Sequence, residues 1–115
     1  MGRAAGTNRP GWRLVVTEAF ARDVEAQLAW LAQQDLPAWQ ERLRARLDDA
    51  RQLLLGAPFT GVADGSGLRR LLLRELPFFL WYQPDEARRR VVWLRLFHVR
   101  QRAPARLTRA ARRTR

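Results

Sequence analysis

The stretch that decides the fold is residues 68–99, LRRLLLRELPFFLWYQPDEARRRVVWLRLFHV. It contains three short apolar runs rich in leucine, valine and aromatic residues, at 68–74, 78–82 and 90–99. Breaks at residues 75–77 and 83–86 separate the runs. Short apolar runs with turn signals between them predict antiparallel strands. Leucine alone would also suit a helix, but Pro77 and the density of aromatic residues favour strands.

Two amphipathic helices are predicted upstream of these strands. Thr17 is a suitable N-cap for the first helix. Its apolar positions recur every three or four residues and are Phe20, Val24, Leu28 and Leu31. The second helix starts at Pro37, and its predicted core face consists of Trp39, Leu43, Leu47, Ala50 and Leu54. Because the break between the helices is short, we expect an antiparallel helical hairpin.

The order of elements indicates the fold class. A β-branched run at residues 12–16 comes before the hairpin, and the three-strand meander follows it. This order predicts an α+β domain with a sheet of about four strands and the helices on one face. The domain is expected to span residues 12–102, after a flexible lead at 1–11 and before a basic tail at 103–115. The tail offers little apolar surface besides Leu107, so we expect it to be dispensable for folding.

The composition limits the possible functions. The 115 residues include 22 arginines, no lysine and 11 acids, for a net charge of +11. Residues 57–115 hold fourteen arginines and four acids, so this half attracts polyanions and acidic proteins. Without cysteine and with one histidine, disulfides, thiol catalysis and Cys- or His-cluster metal sites are excluded, and we expect no cofactor. No signal peptide or membrane-spanning run is recognisable, which predicts a cytoplasmic bacterial protein with no membrane or small-molecule partner.

Several motifs occur in an order typical of one family. In chain order they are Thr17-Glu18-Ala19 with Phe20-Ala21-Arg22-Asp23-Val24, the P-x-x-G pair Pro58 and Gly61, Gly67-Leu68-Arg69-Arg70-Leu71, Leu76-Pro77-Phe78-Phe79-Leu80-Trp81-Tyr82, and Val92-Trp93-Leu94-Arg95-Leu96-Phe97-His98 followed by Arg100. Together they resemble the RelE/ParE superfamily of bacterial type II toxins, over residues 12–102. The sequences of the aromatic strand and the last strand are more similar to the ParE branch. The absence of lysine separates the chain from the RNA-cleaving branch.

The resemblance implies the toxin of a toxin–antitoxin pair. A ParE-like toxin stalls DNA gyrase, a protein target, and is neutralised by a cognate acidic antitoxin. The alternative is a RelE-like, ribosome-dependent mRNA endonuclease, whose partners are the ribosome and mRNA. From its charge alone, the chain could also be a small basic nucleic-acid-binding protein. Enzymatic activity therefore stays open, with a protein-target inhibitor favoured over an endoribonuclease.

Strand alternation suggests where a partner would bind. Trp93, Arg95 and Phe97 share one face of the last strand, and the more aliphatic opposite face is expected to contact the helices. Arg95 would then lie between two exposed aromatic rings, which suits base stacking or an acidic peptide. An arginine that covers apolar surface is an equally weighted alternative. The predicted target- or antitoxin-binding residues are Arg70, Arg74, Trp93, Arg95, Phe97 and Arg100.

A catalytic set is less complete. RNA cleavage needs a base, an acid and cations around the phosphate. His98 or Tyr82 could supply the acid, and Glu75 or His98 the base. The cations would be Arg69, Arg74 and Arg95. The structural alternatives are a hydrogen-bonded core histidine and a tyrosine that anchors the core with its hydroxyl at the edge. Trp30 lies just off its helix face and is predicted to be a partly exposed interface anchor.

Overall fold

The computed structural model describes residues 11–100, which form two helices and five strands. In chain order these are β1 (Arg13–Val16), α1 (Glu18–Gln33), α2 (Pro37–Gly56), β2 (Val62–Ala63), β3 (Arg69–Leu72), β4 (Phe78–Asp85) and β5 (Arg90–His98). The α+β class and the order of elements are confirmed. The sheet has five strands instead of about four because a two-residue strand, β2, precedes β3. The predicted tail at 103–115 and the lead up to residue 10 lie outside the described residues.

The strands form one mixed sheet in the order β1-β5-β4-β3-β2. The first strand runs parallel to β5, and all other neighbours are antiparallel, so the predicted meander is β3-β4-β5. Strand β4 continues to Asp85, beyond its predicted end. It does so because β4 pairs with β5 as far as Asp85, whereas its pairing with β3 ends at Tyr82, so that among the described residues no strand pairs with the other side of β4 at Pro84. A strand tolerates proline at such a position.

The helices cover one face of the sheet, as predicted. Thr17 is the N-cap of α1, and its hydroxyl accepts a hydrogen bond from the N–H of Phe20 at 3.2 Å. The Phe20 ring packs against Trp93 on β5, with ring centres 5.1 Å apart. The buried residues on this helix-covered face are Phe20, Leu43, Ala50, Leu54, Leu73, Leu76, Leu80, Tyr82, Val91, Trp93 and Leu96. Neither α1 nor α2, the two helices of residues 11–100, has the length and apolar character of a membrane-spanning segment.

A β-bulge changes the faces of β5. Trp81 pairs with Arg95 and Tyr82 pairs with Trp93, so Leu94 is an extra residue on β5. The bulge reverses the alternation of side chains along the strand. As a result, Trp93 faces the helices and Phe97 faces the opposite side of the sheet. The predicted grouping of these two residues on one face is therefore wrong.

The sheet face opposite the helices, here called the outer face, carries a second apolar cluster. Its buried residues are Leu68, Trp81, Val92, Leu94 and Phe97, with Val15 and Phe79 packed against them. The five buried members are only 1–8% exposed. Neither α1 nor α2 contributes a residue to this cluster.

Candidate functional site

The loop between α2 and β2 is fixed to the sheet by one tyrosine. Tyr82 is fully buried in the interior of β4, not at the end of a strand as predicted. Its hydroxyl donates a hydrogen bond to the carbonyl oxygen of Pro58 (2.9 Å) and accepts one from the N–H of Gly61 (2.8 Å). The hydroxyl therefore uses its proton and one lone pair inside the protein, which makes Tyr82 an anchor of this loop.

Arg69 is bound to the same loop. Its Nη1 donates hydrogen bonds to the carbonyl oxygens of Phe59 (2.9 Å) and Gly61 (2.7 Å). Arg69 on β3 is also the register partner of Tyr82 on β4. Three motifs of the sequence resemblance, the P-x-x-G pair, the G-L-R-x-L strand and the aromatic strand, therefore meet in one network. This network stabilises the fold.

Burial raises the pKa of Tyr82 above its ordinary value of 10.0, while the hydrogen bond from Gly61 and the charge of Arg69 lower it. The folded state thus favours the neutral phenol more than the unfolded chain does. The stabilisation from this group is complete below about pH 10 and is lost as the pH rises through the raised value.

Tyr82 is the only tyrosine of the chain, so its ionisation can be measured directly. In an alkaline titration followed by ultraviolet absorbance, we expect the phenolate to appear only above pH 10, together with loss of near-ultraviolet circular dichroism. The denatured chain is the control and should titrate near pH 10. A normal titration with the fold retained would contradict the buried anchor.

Arg95 is paired with α1. Its Nε and Nη2 donate hydrogen bonds to the two carboxylate oxygens of Asp23 at 2.7 and 3.0 Å. The backbone N–H of Leu96 donates to the same carboxylate at 2.9 Å. Strand β1 pairs with β5 only as far as Trp93. Just beyond that point, Asp23 accepts the hydrogen bond from the backbone N–H of Leu96 on β5. The hydrogen bonds to Asp23 raise the pKa of Arg95, which stays a cation within this pair.

The two aromatic residues predicted to flank Arg95 on an open face are buried. Trp93 is 4% exposed beneath the helices, and Phe97 is 4% exposed on the outer face. The guanidinium of Arg95 lies over the Phe97 ring, 4.7 Å from its centre. The predicted open aromatic surface around Arg95 is therefore wrong, because the bulge at Leu94 places the two rings on opposite faces.

The predicted acid–base and cationic residues do not converge. His98 pairs in register with Phe78, and its ring meets the Phe78 ring edge-on at 5.7 Å. Phe78 and Tyr82 are four residues apart on β4, or about 13 Å along the strand. Arg69 and Tyr82 thus meet at one place, while His98 lies at another. No three metal-ligating side chains come together in the described part of the chain.

An apolar groove opens beside the turn of the helical hairpin. Its volume is about 560 Å³. The residues that line it, here called the tryptophan groove, are Gln27, Trp30, Leu31, Leu36, Trp39, Leu43, Leu76, Pro77, Phe78 and His98. Trp30 is 53% exposed, as predicted, and Trp39 is 40% exposed. Two large aromatic rings that face solvent beside a groove are typical of a protein interface.

The sequence predicts the exposure of Trp30 in this groove but not that of Trp39. Trp39 fits the helical spacing of the core face of α2, so it was predicted to be buried. It lines the open groove instead, because it lies in the first turn of the helix beside the break between α1 and α2. The available signal was the position of both tryptophans, Trp30 and Trp39, within six residues of that break.

Arginines lie at the same end of the molecule. The guanidinium of Arg42 lies 4.7 Å from the centre of the Trp39 ring, at the rim of the groove. Strand β3 ends, β4 begins and β5 ends at the same end of the sheet. The exposed Arg74 and Arg100 lie at this end, where the tryptophan groove is found. Arg70 lies elsewhere, on the outer face, where it stacks on aromatic rings.

Comparison with solved structures identifies the fold. The chain is similar to a chain of the chromosomal ParDE TA system from P. aeruginosa, with a TM-score of 0.63 and 18% sequence identity. The match covers 76% of this chain and 95% of that chain. This shared fold agrees with the resemblance of the sequence motifs to the RelE/ParE superfamily. No protein-family model and no curated protein matches the chain.

Proposed function

We propose that this chain is the toxin of a type II toxin–antitoxin pair, of the ParE type, and that it arrests growth by inhibiting DNA gyrase. The observation that carries the proposal is the fold shared with a chain of a ParDE system, together with collinear motifs across residues 12–102. The choice of gyrase as the target rests on the sequences of the aromatic strand and the last strand, which are more similar to the ParE branch. Action on gyrase would place the protein in the cytoplasm.

The positions of the polar residues favour a protein target over RNA cleavage. In-line attack by a 2′-hydroxyl needs an acid, a base and cations within reach of one phosphate. Tyr82 is buried with its hydroxyl engaged, and Arg95 is paired with Asp23. His98 is separated from Tyr82 by about 13 Å of strand. These observations support an inhibitor that acts by binding.

We assign the tryptophan groove to the antitoxin. An apolar groove with two exposed tryptophans fits the apolar face of a partner segment that folds on binding. Arg42 at the rim, with Arg74 and Arg100 at the same end of the sheet, would attract acidic residues beside that face. We therefore expect the antitoxin to bind at the tryptophan groove and not at an open face around Trp93.

Substitution of the two exposed tryptophans tests this assignment. The double variant Trp30→Ser, Trp39→Ser is expected to bind the antitoxin at least about a hundredfold more weakly, since buried tryptophan anchors contribute about 2 kcal/mol or more each and 1.4 kcal/mol corresponds to tenfold. The measurement is calorimetric titration with the product of the adjacent acidic reading frame. Val62→Ser, which removes a side chain 63% exposed on β2, is the matched control and should bind normally. Equal weakening by both variants would contradict the assignment.

His98→Gln separates the two toxin activities. If the toxin inhibits gyrase, we expect the variant to keep full growth arrest, because His98 would take no part in chemistry. An mRNA endonuclease that uses the only histidine would lose on the order of a hundredfold or more in rate. The measurement is growth after induction, with folding checked by circular dichroism. Loss of toxicity in a folded variant, with mRNA cleavage by the parent, would favour the RelE-like alternative.

The response of the cell tests the function as a whole. Induced expression of the chain in bacteria should stop growth with DNA damage and filamentation, while protein synthesis continues. Co-expression of the adjacent acidic reading frame should restore growth and give a complex that copurifies. An arrest of translation with cut mRNA would point to the ribosome instead. A harmless protein that stays alone when the neighbour is present would contradict both toxin proposals.

A further inference from the structure

The tryptophan groove has a polar end. Of the ten described residues that line it, eight are apolar, and the two polar ones are Gln27 on α1 and His98 on β5. In a binding groove that is otherwise apolar, a few placed polar groups fix the orientation of the ligand and provide specificity. These two side chains therefore bear on which partner segment the groove accepts.

The contacts between α1 and β5 place the two polar residues side by side. The hydroxyl at the N-cap of α1 donates a hydrogen bond to the carbonyl oxygen of Trp93 at 2.9 Å, and Asp23 further along α1 accepts one from the N–H of Leu96 at 2.9 Å. The helix and the end of β5 thus run in the same direction. Gln27 lies one helical turn beyond Asp23, or about 6 Å. His98 lies two strand residues beyond Leu96, or about 7 Å, so it is level with Gln27.

The amide of Gln27 is not used within the described fold. The side chain is half-buried and makes no hydrogen bond with another residue of 11–100. Its neighbours on the same stripe of α1, Val24 and Leu31, are apolar. An amide carries two donors and an acceptor, and leaving them unpaired costs free energy once a partner excludes water from the groove. A segment that fits the groove therefore has a hydrogen-bonding group at this point.

We propose that Gln27 determines the specificity of the tryptophan groove by pairing with one uncharged polar side chain, an asparagine, glutamine, serine or threonine, in the apolar face of the antitoxin segment. The inference rests on the proposed function, because it takes the antitoxin as the occupant of the groove. An uncharged side chain of this kind can both donate to and accept from the amide. A carboxylate would leave the Gln27 carbonyl unpaired and would lose its hydration among apolar side chains.

Such a pair would set the register of the bound segment. A single polar contact within an apolar interface selects one alignment of the two partners, because every other alignment leaves a polar group buried without a hydrogen bond. Acidic residues of the segment would lie at the rim, where the guanidinium of Arg42 stacks on the Trp39 ring.

The variant Gln27→Met tests the pairing, because methionine has nearly the shape of glutamine but no amide. In calorimetric titration of the full-length chain with the product of the adjacent acidic reading frame, we expect binding about tenfold weaker than that of the parent, since the polar group of the partner is left unpaired. Gln33→Met, at the exposed end of α1 and outside the groove, is the matched control and should bind normally. Equal or tighter binding by Gln27→Met, the result expected if the groove takes apolar side chains alone, would overturn the proposal.

A double-mutant cycle identifies the partner side chain. Each polar position of the antitoxin segment is changed to alanine and titrated against the parent and against Gln27→Met. We expect one uncharged residue whose substitution weakens binding to the parent but not to Gln27→Met. Coupling to an aspartate or glutamate, or no coupled position, would overturn the proposal. If the parent does not bind the antitoxin at all, the proposed function is wrong as well. If Trp30→Ser, Trp39→Ser weakens binding and Gln27→Met does not, only this inference is wrong.

Discussion

Gly61→Ala is expected to destabilise the domain by about 2–4 kcal/mol, one of the two largest effects that the structure implies. A Cβ atom at this position would lie 2.7 Å from the carbonyl oxygen of Arg70 and 2.8 Å from both Cε1 and the hydroxyl of Tyr82. The carbonyl belongs to β3, which is paired on both sides, so it cannot move without opening the β2–β3 ladder. The Tyr82 ring is fully buried and cannot swing away.

The measurement is the free energy of unfolding in urea. Gly56→Ala is the matched control, because nothing lies within 4 Å of the added Cβ at the end of α2. That variant should be neutral or up to about 1 kcal/mol more stable, as alanine favours the helix over glycine. If the two variants lose the same stability, Gly61 is not held against the tyrosine anchor.

Asp23→Ala is expected to cost about 2–3 kcal/mol of the free energy of unfolding. The substitution removes the carboxylate that accepts hydrogen bonds from Arg95 and from the N–H of Leu96. Both donors are partly buried, and the Arg95 side chain is 27% exposed. A charge that loses its partner in such a place costs more than an exposed pair contributes, although less than in a fully dry core.

The control for this prediction is an exposed carboxylate on the other helix. Asp48 on α2 accepts hydrogen bonds from Arg51 and Gln52, but its side chain is 55% exposed. Asp48→Ala should change stability by no more than about 0.5 kcal/mol. Equal losses for Asp23→Ala and Asp48→Ala in urea unfolding would show that the Asp23–Arg95 contact contributes little. The pair also means that Arg95→Ala must be tested for stability before any loss of toxicity is assigned to partner binding.

The elements were predictable because local signals and tertiary packing agree in them. Thr17 caps α1 and Pro37 begins α2 as the sequence indicates, and the aromatic runs form β4 and β5. The motifs that suggested the family proved to be largely structural. Gly61, Arg69 and Tyr82 of these motifs form one hydrogen-bond network, and Asp23 and Arg95 of these motifs form an ion pair.

The candidate site was less predictable because its residues depend on departures from regular periodicity. Strict alternation places Trp93 and Phe97 on one face, and only the bulge at Leu94 separates them. Helical spacing places Trp39 in the core, although its side chain is 40% exposed and lines an open groove. A bulge and the end of a packed layer are decided by contacts between distant segments. Neither leaves a local pattern in a single sequence.

The most direct test of the central claim is an assay of DNA supercoiling by purified gyrase with the full-length protein added. We expect that the protein blocks supercoiling, that His98→Gln blocks it equally well, and that the product of the adjacent acidic reading frame restores it. The Trp30→Ser, Trp39→Ser variant should still block gyrase but resist the rescue. Normal supercoiling in the presence of a folded protein that cuts ribosome-bound mRNA would contradict gyrase inhibition and favour the endonuclease.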